Sequence, residues 1–263
     1  MHNKTIAIVI NTSWNIFNFR LGLLNALQKE GYKIVAIAPK DDYSQELEKL
    51  GFEYHDITIN NKGTNPIEDV KLVVDFYKLY KKIKPDLILN YTIKPNIYGT
   101  IAANLLNIPT INNIAGLGTL FINENFITKI AKFLYKYSQN KASKVFFQNR
   151  EDFELFSSSK LVDIKKAGIL PGSGVNTEKF LPRVKTKNFD KIVFLLISRM
   201  LWDKGVGEYV EAARTLTKKY PNVEFQLLGF LDVVNKSAIS KEQMDSWTKE
   251  GIVNYLGTSD DVK

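Results

Sequence analysis

Arg199 and Lys204 stand just ahead of Gly205 in the run ISRMLWDKGVGEYVEAAR (Ile197–Arg214). A guanidinium and an ammonium fixed beside a helix start are suited to gripping a diphosphate, because the free N–H groups and the positive end of the helix dipole add to their charge. Such a clamp also assists chemistry, since a departing diphosphate gains negative charge in the transition state. The flanking residues say how the pair is held. KIVFLLI (Lys191–Ile197) is short, apolar and branched, and reads as a buried strand. After Gly205, residues Val206, Tyr209, Val210, Ala213 and Leu216 recur at helical spacing. A strand–loop–helix unit of a parallel sheet puts its loop at the carboxyl edge, where ligands bind. Asp203 reads as a cap for that helix. The competing reading is two exposed residues at a helix start, with no ligand.

Three other segments carry candidate groups. NTSWNIFNFR (Asn11–Arg20) reads as the loop after a first strand, offering Asn11, Ser13, Asn15 and Arg20 as hydrogen-bonding groups and Trp14 as an apolar platform. TIKPNIYG (Thr92–Gly99) sets Lys94 before Pro95, a good first residue of a helix, and NNIAGLGTLF carries Gly116 and Gly118. A G-x-G lacking its third glycine is a weak dinucleotide signal, so hydride transfer is set aside. PGSGVNTEKF (Pro171–Phe180) holds Gly172 and Gly174, which are expected at positive φ. The only histidines, His2 and His55, are isolated and there is no cysteine, so neither a metal site nor a Ser-His-Asp engine is expected.

The elements that must position these groups alternate from the start. Strands are expected at Thr5–Asn11, YKIVAIAP, FEYHDITI, DLILNY, PTINNI, KVFFQN and KAGILP. Helices are expected around Phe19–Glu30, Ser44–Leu50, Ile67–Lys82, Asn96–Asn107 and Glu124–Lys141. Repeated βα units with short buried strands imply an α/β doubly wound parallel sheet. A second alternation begins at Lys191 and stops after three strands and two helices. The expected division is residues 1–178, a linker over 179–190, and an incomplete Rossmann-like unit over 191–263.

SRMLWDKGVGEYVEAAR closely resembles the donor-binding signature of the family 4 glycosyltransferases, which have a GT-B fold. NYTIKPNIYGTIAANLLNIPTINNIAGLGTLF (Asn90–Phe121), PGSGVNTEKF and GIVNYLGTSDDV (Gly251–Val262) are similar to segments of its capsular and lipid-linked oligosaccharide branch, in the family order along nearly the whole chain. The resemblance implies a retaining enzyme that moves a hexose or N-acetylhexosamine from a UDP-sugar to a polyprenyl-diphosphate-linked saccharide. The nucleotide sugar is then a substrate and no cofactor is needed. It assigns the donor diphosphate to Arg199 and Lys204, and places Gly116, Gly118, Gly172 and Gly174 along the donor side of the cleft, with a pure hinge as the equal alternative for Gly172 and Gly174. Asn11, Ser13, Trp14, Asn15, Arg20 and Lys94 fall on the acceptor side, Lys94 toward a lipid-linked phosphate, with Trp14 and Phe17 either stacking on sugar or anchoring the loop. The first loop lacks the family's glycine pair, and the histidine of many relatives has no match near Asn112–Gly118. No residue stands out as a catalytic base. A donor phosphate that helps deprotonate the acceptor hydroxyl removes the need for one. The family's glutamate-rich E-x7-E region is absent from this sequence, which leaves a second reading, a shortened non-catalytic remnant that binds a lipid-linked sugar or a protein partner.

The net charge of +8, from 36 Lys and Arg against 28 Asp and Glu, suits phosphorylated substrates, an anionic membrane surface or nucleic acid. No RNP, helix-turn-helix or zinc pattern accompanies it, so nucleic acid is not expected as a partner. ITKIAKFLYKYSQNK puts Ile130, Phe133, Leu134 and Tyr137 on one helix face with Lys129, Lys132 and Lys136 beside it, and FYKLYKKIK (Phe76–Lys84) is similar. Their apolar faces are expected to pack on the sheet, leaving the lysines to attract an anionic membrane. With no bilayer-length apolar run and no secretory cleavage pattern, the expected place is the cytoplasm, peripheral to the inner face of the membrane.

Overall fold

The computed structural model describes residues 4–60, 65–116, 126–182, 191–231, 235 and 237–259. The chain divides into two compact units, Met1–Asn176 and Thr177–Lys263.

The first unit holds a parallel seven-stranded sheet in the order β3-β2-β1-β4-β5-β6-β7. Its strands are β1 (Thr5–Val9), β2 (Lys33–Ala38), β3 (Glu53–Asp56), β4 (Leu87–Tyr91), β5 (Thr110–Ile114), β6 (Lys144–Phe147) and β7 (Ala167–Ile169). Ile8 of β1 lies opposite Ala36 on one side and Leu89 on the other. Both faces of the sheet are covered, which is why its strands are nearly continuous apolar runs. On one face Ile6, Ile8 and Ile10 pack with Ile16, Leu24 and Leu47, from α1 (Ser13–Phe19), α2 (Leu21–Lys29) and α3 (Asp42–Lys49). On the other, Ala7 and Val9 pack with Phe76, Ala102, Tyr135 and Phe156, from α4 (Pro66–Ile83), α5 (Thr100–Leu105), α6 (Phe126–Lys141) and α7 (Arg150–Ser158). The strand order reverses between β1 and β4, so the chain leaves their carboxyl ends in opposite directions and opens a crevice there.

Two expectations change here. Most of the expected loop Asn11–Arg20 is helix: Thr12 caps α1 by accepting from the Asn15 N–H. The helix α7 was not expected at all, although Asn149 caps it through the Asp152 N–H at 2.7 Å.

The helix α6 is rotated from the sequence reading: of the expected apolar face only Leu134 packs against the core. Ile130, Phe133 and Tyr137 are exposed, Phe133 by 67%, while Tyr135, Ser138 and Gln139 are buried. A polar network explains it. The Asn112 amide donates to Gln139 Oε1 at 2.8 Å and to Thr100 Oγ1 at 2.9 Å, and Asn90 donates to Asn112 at 3.1 Å. Leaving those amides unpaired in the interior would cost more than burying one apolar stripe gains. The Phe76 and Tyr80 face of α4, by contrast, is packed inward as expected.

The second unit has a parallel three-stranded sheet, β10-β9-β8, formed by β8 (Ile192–Ile197), β9 (Val223–Leu228) and β10 (Asn254–Tyr255). The helices α8 (Val206–Lys219) and α9 (Lys241–Lys249) complete it. Val206, Val210 and Ala213 of α8 meet Phe225 and Leu227 of β9 in its core, with Tyr209 and Leu216 partly buried against them, as the helical spacing requires. The run read as a buried strand is instead largely exposed: Ile192, Val193, Leu195 and Ile197 are each about half open to solvent. Among the described residues β8 pairs with β9 alone, so one edge and much of its surface lack the cover its composition anticipates.

Candidate functional site

Each unit brings candidate residues to the carboxyl edge of its sheet, and each edge is built differently. In the second unit Arg199 follows β8 and Lys204 ends a short 3-10 turn, Trp202–Lys204. Gly205 then takes φ 76 and starts α8 without a side-chain cap. Both cations are exposed and neither makes an ion pair among the described residues. Their loop is held from below: Met200 and Leu201 are buried, the Met200 N–H donates to the Phe230 carbonyl at 2.9 Å, and the Ile239 N–H to the Met200 carbonyl at 3.0 Å. Asp203 is no helix cap. Its Oδ1 accepts from the Ser237 hydroxyl at 3.0 Å and its N–H donates back to that oxygen at 3.2 Å, a clasp that anchors the turn bearing Lys204.

In the first unit the crevice between β1 and β4 is marked by Arg20. It joins α1 to α2 and is only 8% exposed. Its guanidinium lies 4.3 Å over the Tyr91 ring and its Nη1 donates to Ser173 Oγ at 2.6 Å. Burial lowers its pKa, an effect that Tyr91 opposes. Gln148 Nε2 donates to the same Ser173 oxygen at 3.3 Å and to Asn113 Oδ1 at 3.2 Å. Ends of β1, β4, β5, β6 and β7 therefore converge here. Gly172 and Gly174 flank Ser173 at φ 77 and 73, the positive φ expected of them, and a Cβ on either would meet nothing within 4 Å. Gly116 likewise faces open space, and Gly118 lies outside the described residues.

The other first-unit candidates separate. Ser13 is fully buried and bonds the Pro39 carbonyl and Ser44 Oγ, both at 3.0 Å, so its hydroxyl is a structural tie and not an open hydrogen-bonding group. Asn15 keeps a buried Oδ1 without a partner. Trp14 is half exposed, edge-on to Phe19 at 5.3 Å, whereas Phe17 anchors the segment against Tyr43. Asn11 sits at the exit of β1, half-buried.

Lys94 was expected as a free cation and is not one. It pairs with Asp69 at 2.7 Å, with 13% and 14% of the two side chains exposed, and Tyr98 donates to the other Asp69 oxygen at 2.7 Å. Burial, then Asp69 itself, pushes the Tyr98 phenol pKa well up, so it stays a donor. The cluster stands where a π-helical turn, Pro95–Gly99, leads into α5. Asp69→Ala is expected to destabilise the first unit by about 3 kcal/mol, because an ammonium is left buried and unpaired, whereas Lys94→Met leaves the Asp69 carboxylate its hydrogen bond from Tyr98 and should cost less. Urea unfolding of the two variants checks that asymmetry.

These features meet in one lineage. A family model described as "Glycosyl transferase 4-like" matches residues 5–149. An N,N'-diacetylbacillosaminyl-diphospho-undecaprenol alpha-1,3-N-acetylgalactosaminyltransferase of Campylobacter jejuni is 30% identical over 98% of this chain and 70% of its own length. A UDP-Gal:alpha-D-GlcNAc-diphosphoundecaprenol alpha-1,3-galactosyltransferase of Escherichia coli is 28% identical over 64% of this chain, which spans 46% of that relative. Among solved structures, a glycosyltransferase from Rickettsia africae superposes with TM-score 0.71 at 19% identity, covering 100% of this chain and 70% of the other. Anabaena HepE in complex with UDP and glucose superposes with TM-score 0.67 at 16% identity, covering 98% and 70%. The chain belongs to the glycosyl transferase 4-like family and has its α/β, GT-B-like fold. It is thus an enzyme of the glycosyltransferase class.

Among the described residues no group of acidic, histidine or cysteine side chains could hold a metal ion, and no helix is long and apolar enough to cross a membrane.

Proposed function

We propose that this protein is a retaining glycosyltransferase that moves a hexose or N-acetylhexosamine from a UDP-sugar to a saccharide carried on a polyprenyl diphosphate. The carrying observation is the exposed, carboxylate-free pair Arg199 and Lys204 on an anchored turn at the carboxyl edge of a parallel sheet. Their part is to bind the donor diphosphate and to neutralise the charge that grows on it as the glycosidic bond breaks. The activities named for the Campylobacter and Escherichia relatives support a diphospho-undecaprenol-linked acceptor, and the latter supports a UDP-sugar donor. Residues 1–178 take the acceptor side and residues 191–263 the nucleotide sugar, with 179–190 between them. Under a same-face mechanism the donor phosphate takes the proton of the attacking hydroxyl as the sugar leaves the diphosphate, so no protein carboxylate is required.

A membrane-bound acceptor calls for an enzyme that reaches the membrane. The helix α6 supplies a face for that: exposed Ile130, Phe133 and Tyr137 beside exposed Lys129 and Lys136, with no acidic residue in the helix. Such a face suits the peripheral surface of an anionic bilayer on the cytoplasmic side.

The test is transfer from a panel of radiolabelled nucleotide sugars to polyprenyl-diphosphate-linked saccharides. The expected result is one UDP-sugar giving a labelled lipid product with the anomeric configuration kept. Binding of donor or acceptor with no transfer from any sugar would overturn the reading in favour of a non-catalytic binder.

A further inference from the structure

We infer that Arg20 and Ser173 form a phosphoryl-oxyanion subsite in the first unit. Arg20 is more than nine-tenths buried, and its Nε is buried with no acceptor. No carboxylate pairs with it among the described residues; its neighbours are the Tyr91 ring and the neutral Ser173. A buried guanidinium without a counter-ion is costly, so the fold retains a cation where an anion must supply the missing half.

Ser173 makes the second half of the site. Its oxygen accepts from Arg20 at 2.6 Å and from Gln148 at 3.3 Å, which fills both acceptor positions of a hydroxyl. Its own proton therefore points elsewhere, and since Ser173 is exposed that proton is open to a ligand. A guanidinium with an unused N–H beside a hydroxyl with an unused O–H matches the several oxygens of a tetrahedral phosphoryl group. Open space lies on both sides of Ser173, at Gly172 and Gly174, and the cluster sits at the crevice where the strand order reverses. The subsite stands on this geometry. Which phosphoryl group occupies it, that of a nucleotide or of a prenyl carrier, rests on the transferase reading.

Calorimetric titration of the full chain with inorganic pyrophosphate tests it, in an Arg199→Ala/Lys204→Ala background that removes the cation pair of the second unit. Pyrophosphate is expected still to bind, and Arg20→Met to weaken it by about 10- to 100-fold, the share of charge-assisted hydrogen bonds. The same substitution is expected to raise the melting temperature by roughly a few degrees, because an uncompensated charge leaves the interior. Arg20→Lys should fall between, keeping charge without the fork, and Ser173→Ala should weaken binding while Arg20 remains. Unchanged pyrophosphate affinity in Arg20→Met, a lowered melting temperature in that variant, or equal affinity for malonate would each overturn the assignment. Parallel titrations with UDP and with farnesyl diphosphate, on chains with Arg199 and Lys204 intact, identify the source: the one whose affinity depends on Arg20 is the occupant, and dependence of neither sinks the proposal. Absence of sugar transfer with Arg20-dependent pyrophosphate binding retained would remove the transferase reading and leave the subsite standing.

Discussion

Arg199→Ala is expected to lower sugar transfer by about 100- to 1,000-fold, the loss seen when one fixed group that stabilises developing negative charge is removed. Lys204→Ala should fall in the same range. The two together should not multiply, because each cation answers to the same diphosphate and the remaining one already works at reduced effect. Stability should hardly move. Both side chains are exposed and unpaired, so deleting them breaks no contact, and substitutions of that kind stay within about 0.5 kcal/mol. The measurement is kcat and KM for the donor beside a thermal melt. UDP affinity should fall less than kcat, since the charge on the diphosphate is larger in the transition state than in the bound sugar nucleotide. A loss of melting temperature in step with the loss of rate would contradict the role, and so would unchanged turnover. Lys204→Arg offers a finer reading. The charge is kept, but the 3-10 turn that Asp203 and Ser237 clasp sets the reach of the side chain, so recovery should be partial.

The first sheet was legible because its physics is repetitive. A strand covered on both faces must be apolar throughout, and Ile34–Ala38 and Ile6–Ile10 announce that in any reading. The same logic misplaced β8, since composition records what a strand is made to be covered by and not which neighbours are present. The helix α6 misled for a different reason. Periodicity identifies an apolar stripe, but which stripe turns inward was decided by Gln139 and Ser138 meeting the Asn112 network, a contact between residues 27 apart for Gln139 that spacing cannot show. The helix α7 could have been found, because Asn149 and Asp152 carry a cap signal before Phe153 and Phe156. Of the candidate site, the Arg199–Lys204 turn was readable from its own residues. Arg20 was readable only as a polar group. Its burial comes from the ends of β4, β6 and β7 closing around it, whereas Lys94 becomes half of an ion pair because α4 brings Asp69 beside the turn after β4.

Gly229→Ala is expected to unfold the second unit while the first persists. Nothing in the sequence sets this glycine apart from others that end strands, yet it takes φ 145 where three strand exits meet. A Cβ there would stand 1.8 Å from the Ser198 carbonyl oxygen and 2.8 Å from its carbon. Both are backbone atoms, so no side chain can swing aside. To make room, the exits of β8 and β9 must part by more than an ångström. That movement strains or breaks three bonds: Ser198 N–H to the Leu228 carbonyl at 3.1 Å, Met200 N–H to the Phe230 carbonyl at 2.9 Å, and Gly229 N–H to the Gly257 carbonyl at 2.8 Å. Strained φ costs about 1–3 kcal/mol and each lost bond about 1 kcal/mol, a sum of roughly 4–6 kcal/mol that reaches the lower range of a whole domain's stability. Gly174→Ala is the control, since its φ is also positive but its Cβ would meet nothing within 4 Å, and it should cost only about 1 kcal/mol. Limited proteolysis of Gly229→Ala should digest residues beyond the boundary at Thr177 and spare Met1–Asn176. Survival of both units would mean that the exits of β8 and β9 can separate freely, and Arg199, one residue beyond Ser198, would then have no rigid seat from which to hold a diphosphate.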